Sequence, residues 1–167
     1  CTSEFDISKY LTEGKNRITV VVVQWCDGSY LEDQDFFRLS GIFREVYLYT
    51  TKKQYIEDVK VLSKPDISDY KTGELTAEIT LGTEEGKTEG EMTVYDMDGA
   101  VVASDSVTVE NDGRISLKAT LPFVHLWSAE KPYLYNVIIA VRDENGAPYE
   151  YVSLKTGFRH IEIKDSV

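Results

Sequence analysis

An all-β chain is what the 167-residue sequence predicts, and three observations carry that reading. Short segments rich in β-branched and aromatic residues recur with alternating polarity. Glycine-containing turn dipeptides separate them at intervals of roughly 8–12 residues, and no long amphipathic helical pattern interrupts them. With 42% apolar and 11% aromatic residues, the chain has the apolar surface a packed core requires.

Taken in order, residues 3–11 carry Phe5, Ile7, Tyr10 and Leu11, with Ser3 or Asp6 able to cap one helical turn and Gly14 able to end it. Residues 17–23, R-I-T-V-V-V-V, are β-branched and nearly continuously apolar, which predicts a strand buried on both faces. Residues 24–41 turn polar and irregular, a long loop leading to a second strand at 43–49, F-R-E-V-Y-L-Y. A polar hinge follows, and a domain boundary is expected near residue 51, dividing the chain into 1–50 and 51–167.

Beyond the boundary, strands are predicted over 55–62, 74–81, 91–95, 100–109, 114–120, 134–142 and 149–154. Asp98-Gly99, Asp112-Gly113 and Asn145-Gly146 suit the tight primed turns of antiparallel hairpins. The charged segment 83–90 reads as a solvated hairpin loop. Seven short strands within about 110 residues are the pattern of an immunoglobulin-like two-sheet sandwich.

Eighteen Lys and Arg against 29 Asp and Glu give a formal charge of −11, which repels phosphate backbones, so nucleic acid is not an expected partner. No basic run suits anionic lipid and no apolar stretch approaches the roughly 20 residues of a spanning helix, so no membrane partner is expected either. The polar start, Cys1-Thr2-Ser3-Glu4, does not read as a leader peptide. Cys1 and Cys26 are expected to remain thiols, because one isolated pair does not make a disulfide framework.

Catalytic chemistry finds little support. His125 and His160 lack metal-ligand spacing, and His125 within P-F-V-H-L-W reads as a packed, structural histidine. Cys26 has no histidine in its loop, and neither a nucleophile elbow nor a phosphate loop occurs. The densest functional cluster is W-C-D-G-S-Y-L-E-D-Q-D, residues 25–35. One reading is a solvated acidic loop held down by Trp25, Tyr30 and Leu31. The other places a carboxylate, Asp27, at the end of a rigid strand before Gly28, where a sugar hydroxyl or a hard cation could approach.

The segment F-D-I-S-K-Y-L-T-E-G-K-N-R-I-T-V, then W-C-D-G-S-Y-L-E-D-Q-D-F-F-R-L-S-G-I-F-R-E-V, resembles glycoside hydrolase family 2, specifically its lac-type β-galactosidases. L-W-S-A-E-K-P-Y-L-Y and G-F-R-H-I-E-I agree in order and spacing with the end of that family's immunoglobulin-like domain. The resemblance implies that residues 1–50 are the terminal strands of a jelly-roll sugar-binding domain and 51–167 the sandwich, with both catalytic glutamates in a barrel elsewhere.

It further implies a parent that hydrolyses β-D-galactosides with retention, uses sodium and magnesium, and contacts both galactose and sodium through Asp27. This segment would itself be non-catalytic, positioning the barrel through its other-domain contacts. Glu32, Asp33, Asp35, Arg38 and Arg44 match the motif and would organise the loop through Arg–carboxylate pairs. A free-standing carbohydrate-binding or adhesion sandwich is the alternative. The apolar 20–23 run, if left without neighbouring strands, would favour self-association into a homo-oligomer.

Overall fold

A computed structural model of the chain describes residues 3–31, 41–52, 54–82, 86–110 and 113–163. It divides into two compact units, Cys1–Tyr49 and Thr50–Val167. In the second unit the alternating segments become seven strands: β1 (Ile56–Pro65), β2 (Gly73–Leu81), β3 (Lys87–Tyr95), β4 (Val101–Glu110), β5 (Arg114–Leu121), β6 (Tyr135–Arg142) and β7 (Pro148–Thr156). They form two antiparallel sheets ordered β1-β2-β5 and β4-β3-β6-β7. This is the immunoglobulin-like sandwich that the spacing of strands and turns predicts.

Period-two alternation explains the core. Leu75, Ala77, Ile79 and Leu81 on β2 and Ile115, Leu117, Ala119 and Leu121 on β5 face Met92 and Val94 on β3 and Val137, Ile139 and Val141 on β6. Between them on each strand stand Glu74, Thr76 and Glu78, or Ser116, Lys118 and Thr120, with no deep burial. Each fully buried Leu or Ile contributes about 1.5–3 kcal/mol.

β3 starts earlier than the sequence predicts. Residues 87–90, read as solvated loop, are ladder residues paired with Glu110 to Val107, and Thr88 is buried. The polar reading failed because Gly90 works as an inward position: a Cβ there would meet Ile115 Cγ2 at 2.7 Å, so its small size lets the facing sheet approach. Residues 83–85 of that prediction lie outside the described residues.

The hairpin turns also differ from expectation. Gly99 and Gly146 have positive φ of 84° and 76°, but Asp98 and Asn145 do not share the left-handed conformation that a primed turn needs at both central residues. Instead, the Gly99 amide donates to the Asp96 carbonyl and the Asp96 amide to the Ala100 carbonyl; Gly146, Asp143 and Ala147 repeat the arrangement. These are three-residue loops closed by a glycine. The carboxylates explain the choice, since Asp96 Oδ1 accepts from the amides of Asp98 and Ala100, and Asp143 Oδ1 from those of Asn145 and Ala147. Asp112 of the third dipeptide lies outside the described residues.

β1 and β7 belong to different sheets yet run side by side in the same direction. The Ile56 amide donates to Glu150 Oε2 at 2.6 Å, and Ser63 Oγ lies 2.7 Å from Thr156 Oγ1. The chain therefore enters the sandwich at one end and leaves it at the other.

The first unit departs most from expectation. Neither 17–23 nor 43–49 is a strand, and none of the unit's described residues is buried; Val21 is 80% exposed. A strand buried on both faces needs ladder partners and covering layers, and none of the unit's described residues supplies them. Its order is local. Ser8–Tyr10 form one 3₁₀ turn, the Ser8 amide donating to Asp6 Oδ1, which puts the helical turn where the sequence expects it. Asn16 folds back to accept from the Thr12 amide and donate to the Thr12 and Gly14 carbonyls, clasping a turn with Gly14 at φ 93°.

Candidate functional site

The acidic motif begins with a single helical turn, α1 (Gly28–Leu31), inside what the sequence reads as irregular loop. The Ser29 amide donates to the Cys26 carbonyl, the amides of Tyr30 and Leu31 converge on the Asp27 carbonyl, and Ser29 Oγ accepts from the Cys26 amide. The Asp27 main chain is thus fixed by the turn it starts, while its side chain is exposed. Its Gly28 neighbour would tolerate a Cβ, whose nearest atom is Cys26 Sγ at 3.7 Å. No close approach therefore demands glycine there.

Trp25 and Tyr30 meet as a tilted pair with centroids 6.5 Å apart. They do not hold the loop down as buried anchors: Trp25 is 50% exposed, and Tyr30 and Leu31 more so. The unit has no buried residue among those described for them to anchor against. Of the motif's other charged positions, Arg44 stands over the Phe43 ring at 5.7 Å. Glu32, Asp33, Asp35 and Arg38 lie outside the described residues.

No group of three His, Cys, Asp or Glu side chains that could hold a metal occurs among the described residues. A hard cation takes about six oxygen ligands, and Asp27 offers one carboxylate. The described residues do not build a sodium site.

In the sandwich the histidines are placed by neighbours. His125 lies between Phe123, edge-on at 4.9 Å, and Tyr133 at 4.5 Å, and its amide donates to Tyr135 Oη. Burial, the largest influence, pushes the Tyr135 hydroxyl above its usual pKa. Tyr133, Tyr135 and Phe158 continue the ring series into the core with centroids 5.0 and 5.3 Å apart. His160 lies 3.4 Å from Glu162. The sequence marks His125 as a packed, structural histidine, but nothing in local spacing signals that the rings from residues 123 to 158 meet in one series.

The model for the sugar-binding domain of glycosyl hydrolases family 2 matches residues 1–52, and a second model of glycosyl hydrolases family 2 matches residues 54–159. The chain belongs to glycoside hydrolase family 2. Over 99% of its length it is 43% identical to a β-galactosidase of Halalkalibacterium halodurans, 40% identical to one of Clostridium acetobutylicum and 41% identical to one of Streptococcus thermophilus. It spans only 16–18% of the length of these relatives.

Among solved structures, a β-glycosidase from Bacteroides vulgatus superposes with a TM-score of 0.62 at 21% identity, covering 74% of this chain and 16% of that one. A β-glucuronidase from Parabacteroides merdae gives 0.58 at 25% identity, covering 68% and 14%. At such identities these neighbours establish the family 2 chain's fold and not its substrate.

Proposed function

We propose that this chain is a non-catalytic part of a β-galactosidase, supplying Asp27 to the rim of the galactose site and positioning the catalytic domain. The observation that carries the reading is the 43% identity to a β-galactosidase across 99% of the chain, together with the D-G-S-Y-L-E-D-Q-D motif. An all-β chain of 167 residues has no room for a (β/α)₈ barrel of about 250 residues, and retaining hydrolysis takes two carboxyl groups about 5–5.5 Å apart across the scissile bond. Both catalytic carboxyls belong by resemblance to that barrel.

Asp27 suits the assigned contact because an exposed carboxylate with a fixed main chain can accept a galactose hydroxyl without displacing an internal partner. In the full-length protein, Asp27→Ala is expected to lose about 1.5–3 kcal/mol of transition-state stabilisation, roughly one to two decades in kcat/KM for a chromogenic β-galactoside. Unchanged kinetics would return the loop to a structural role. Preferential glucuronide turnover by the wild type would overturn the substrate assignment. Galactose binding by this chain alone, read by calorimetry, would favour the free-standing carbohydrate-binding module instead.

A further inference from the structure

A two-sheet sandwich has two lateral seams where edge strands of the facing sheets meet, and here they run between β1 and β7 and between β4 and β5. Edge strands carry a row of main-chain groups without ladder partners, a template for pairing with another chain. The first seam is laced along its length. The Ile56 amide donates to Glu150 Oε2, Ser63 Oγ lies beside Thr156 Oγ1, and the same hydroxyl donates to the Gly157 carbonyl at 2.9 Å. Across the second, among the described residues, the hydrogen bond that joins the sheets runs from the Lys118 amide to Asp105 Oδ2 at 2.7 Å.

Ladder geometry explains why that amide needs a partner. The Leu81 amide donates to the Gly113 carbonyl, which continues the β2–β5 register by one hydrogen-bonded pair. Such pairs alternate along an antiparallel ladder. Ile115, Leu117 and Ala119 therefore bond to β2, while the amides of Ser116, Lys118 and Thr120 point away from it along the open edge. Asp105 takes the central one of these three.

The carboxylate comes from the core face of β4. Ala103, Val107 and Val109 pack against the core, and Ser104, Ser106 and Thr108 between them are exposed. Asp105 falls in the inward row, half-buried and opposite the buried Met92 of β3. A charge in such a row is costly without a partner, and the Lys118 amide supplies a charge-assisted bond. A strand added to β5 would take that amide and leave the carboxylate unpaired among apolar side chains. The rest of β4 is what makes this matter: V-V-A-S-D-S-V-T-V, residues 101–109, is β-branched, alternating and free of proline, and Asp105 is its one charge. Without that charge the segment has the composition that pairs with open sheet edges.

We propose that Asp105 closes the β4–β5 seam against strand addition: while its carboxylate holds the Lys118 amide, the β5 edge does not take up β4 of a second copy. This holds whatever sugar the parent protein cleaves. Asp105→Val in the full-length protein tests it, with Asp58→Val, at an exposed position of the edge strand β1, matching the change in charge and side chain. In light scattering, Asp105→Val is expected to grow beyond the wild-type mass as concentration rises, while Asp58→Val keeps that mass. In residue-resolved hydrogen exchange, the Ser116 and Thr120 amides of the associated Asp105→Val are expected to slow by roughly tenfold or more, as amides entering a ladder do.

An Asp105→Val protein that keeps the wild-type mass would overturn the proposal. So would equal growth of Asp58→Val, or association that leaves the Ser116 and Thr120 amides as open as in wild type, because the contact would then lie elsewhere. The wild type gives a second measurement that requires no substitution and decides the matter even where Asp105→Val fails to fold. Its Lys118 amide is expected to exchange roughly tenfold or more slowly than those of Ser116 and Thr120 on the same edge. Equal rates at the three positions would mean that the carboxylate does not hold the edge, and the proposal would fall.

Discussion

Tyr135 and Tyr149 place hydroxyl groups in the same sandwich with opposite consequences. Tyr135 Oη accepts from the His125 amide at 2.9 Å, whereas the buried Tyr149 hydroxyl has only Thr88 beside it and makes no well-formed hydrogen bond among the described residues. Tyr135→Phe is expected to cost about 1–3 kcal/mol by leaving a part-buried amide unsatisfied, and Tyr149→Phe to be neutral or stabilising. Denaturant titration of the two variants checks the contrast. Burial foremost raises both hydroxyl pKa values above the ordinary tyrosine value. For a raised pKa the stabilisation is complete below the unfolded value, near 10, and is lost as pH rises through the folded one. Unfolding midpoints are therefore expected to fall above about pH 10, less steeply in Tyr149→Phe than in wild type.

Turns and strands differ in how much of themselves they write into sequence. At the two hairpins, Asp96 and Asp143 each bond two amides, so Asp96→Ala or Asp143→Ala is expected to cost about 1 kcal/mol, and Gly99→Ala or Gly146→Ala about 1–2 kcal/mol from left-handed strain. Thermal unfolding measures each, and the Asp losses should recover with Asn, whose side-chain oxygen can accept the same bonds. The seven strands of the sandwich were legible because each alternates and ends in its own turn residues. The turn type was not, because the dipeptide rule reads two residues and the deciding carboxylate stands three before the glycine. The valine run at 20–23 misled for a related reason: its apolarity is local, but a strand is a relation to neighbours. Asp27 stood out in the sequence as a carboxylate before Gly28, but its proposed role came only through motif resemblance, since an exposed carboxylate beside one helical turn carries no geometric mark of its own.

For the whole molecule, every buried residue among those described belongs to the sandwich, from Pro65 to Phe158, and no described cluster gathers metal ligands. The proposed division of labour thus has this chain frame and align a reaction whose acid and nucleophile come from elsewhere. Purified alone, it is expected to give no turnover of a chromogenic β-galactoside above the buffer rate; measurable hydrolysis would require catalytic carboxyls within residues 1–167. The parallel course of β1 and β7 has a mechanical consequence as well. With attachment points at opposite ends, tension on the flanking chain acts lengthwise along β1 against β2 and along β7 against β6. Each ladder is then loaded in shear, with all its hydrogen bonds strained together, and peeling them one at a time from a free end is avoided. A sandwich threaded in this way behaves as a stiff strut about 30 Å long, the rise of nine extended residues.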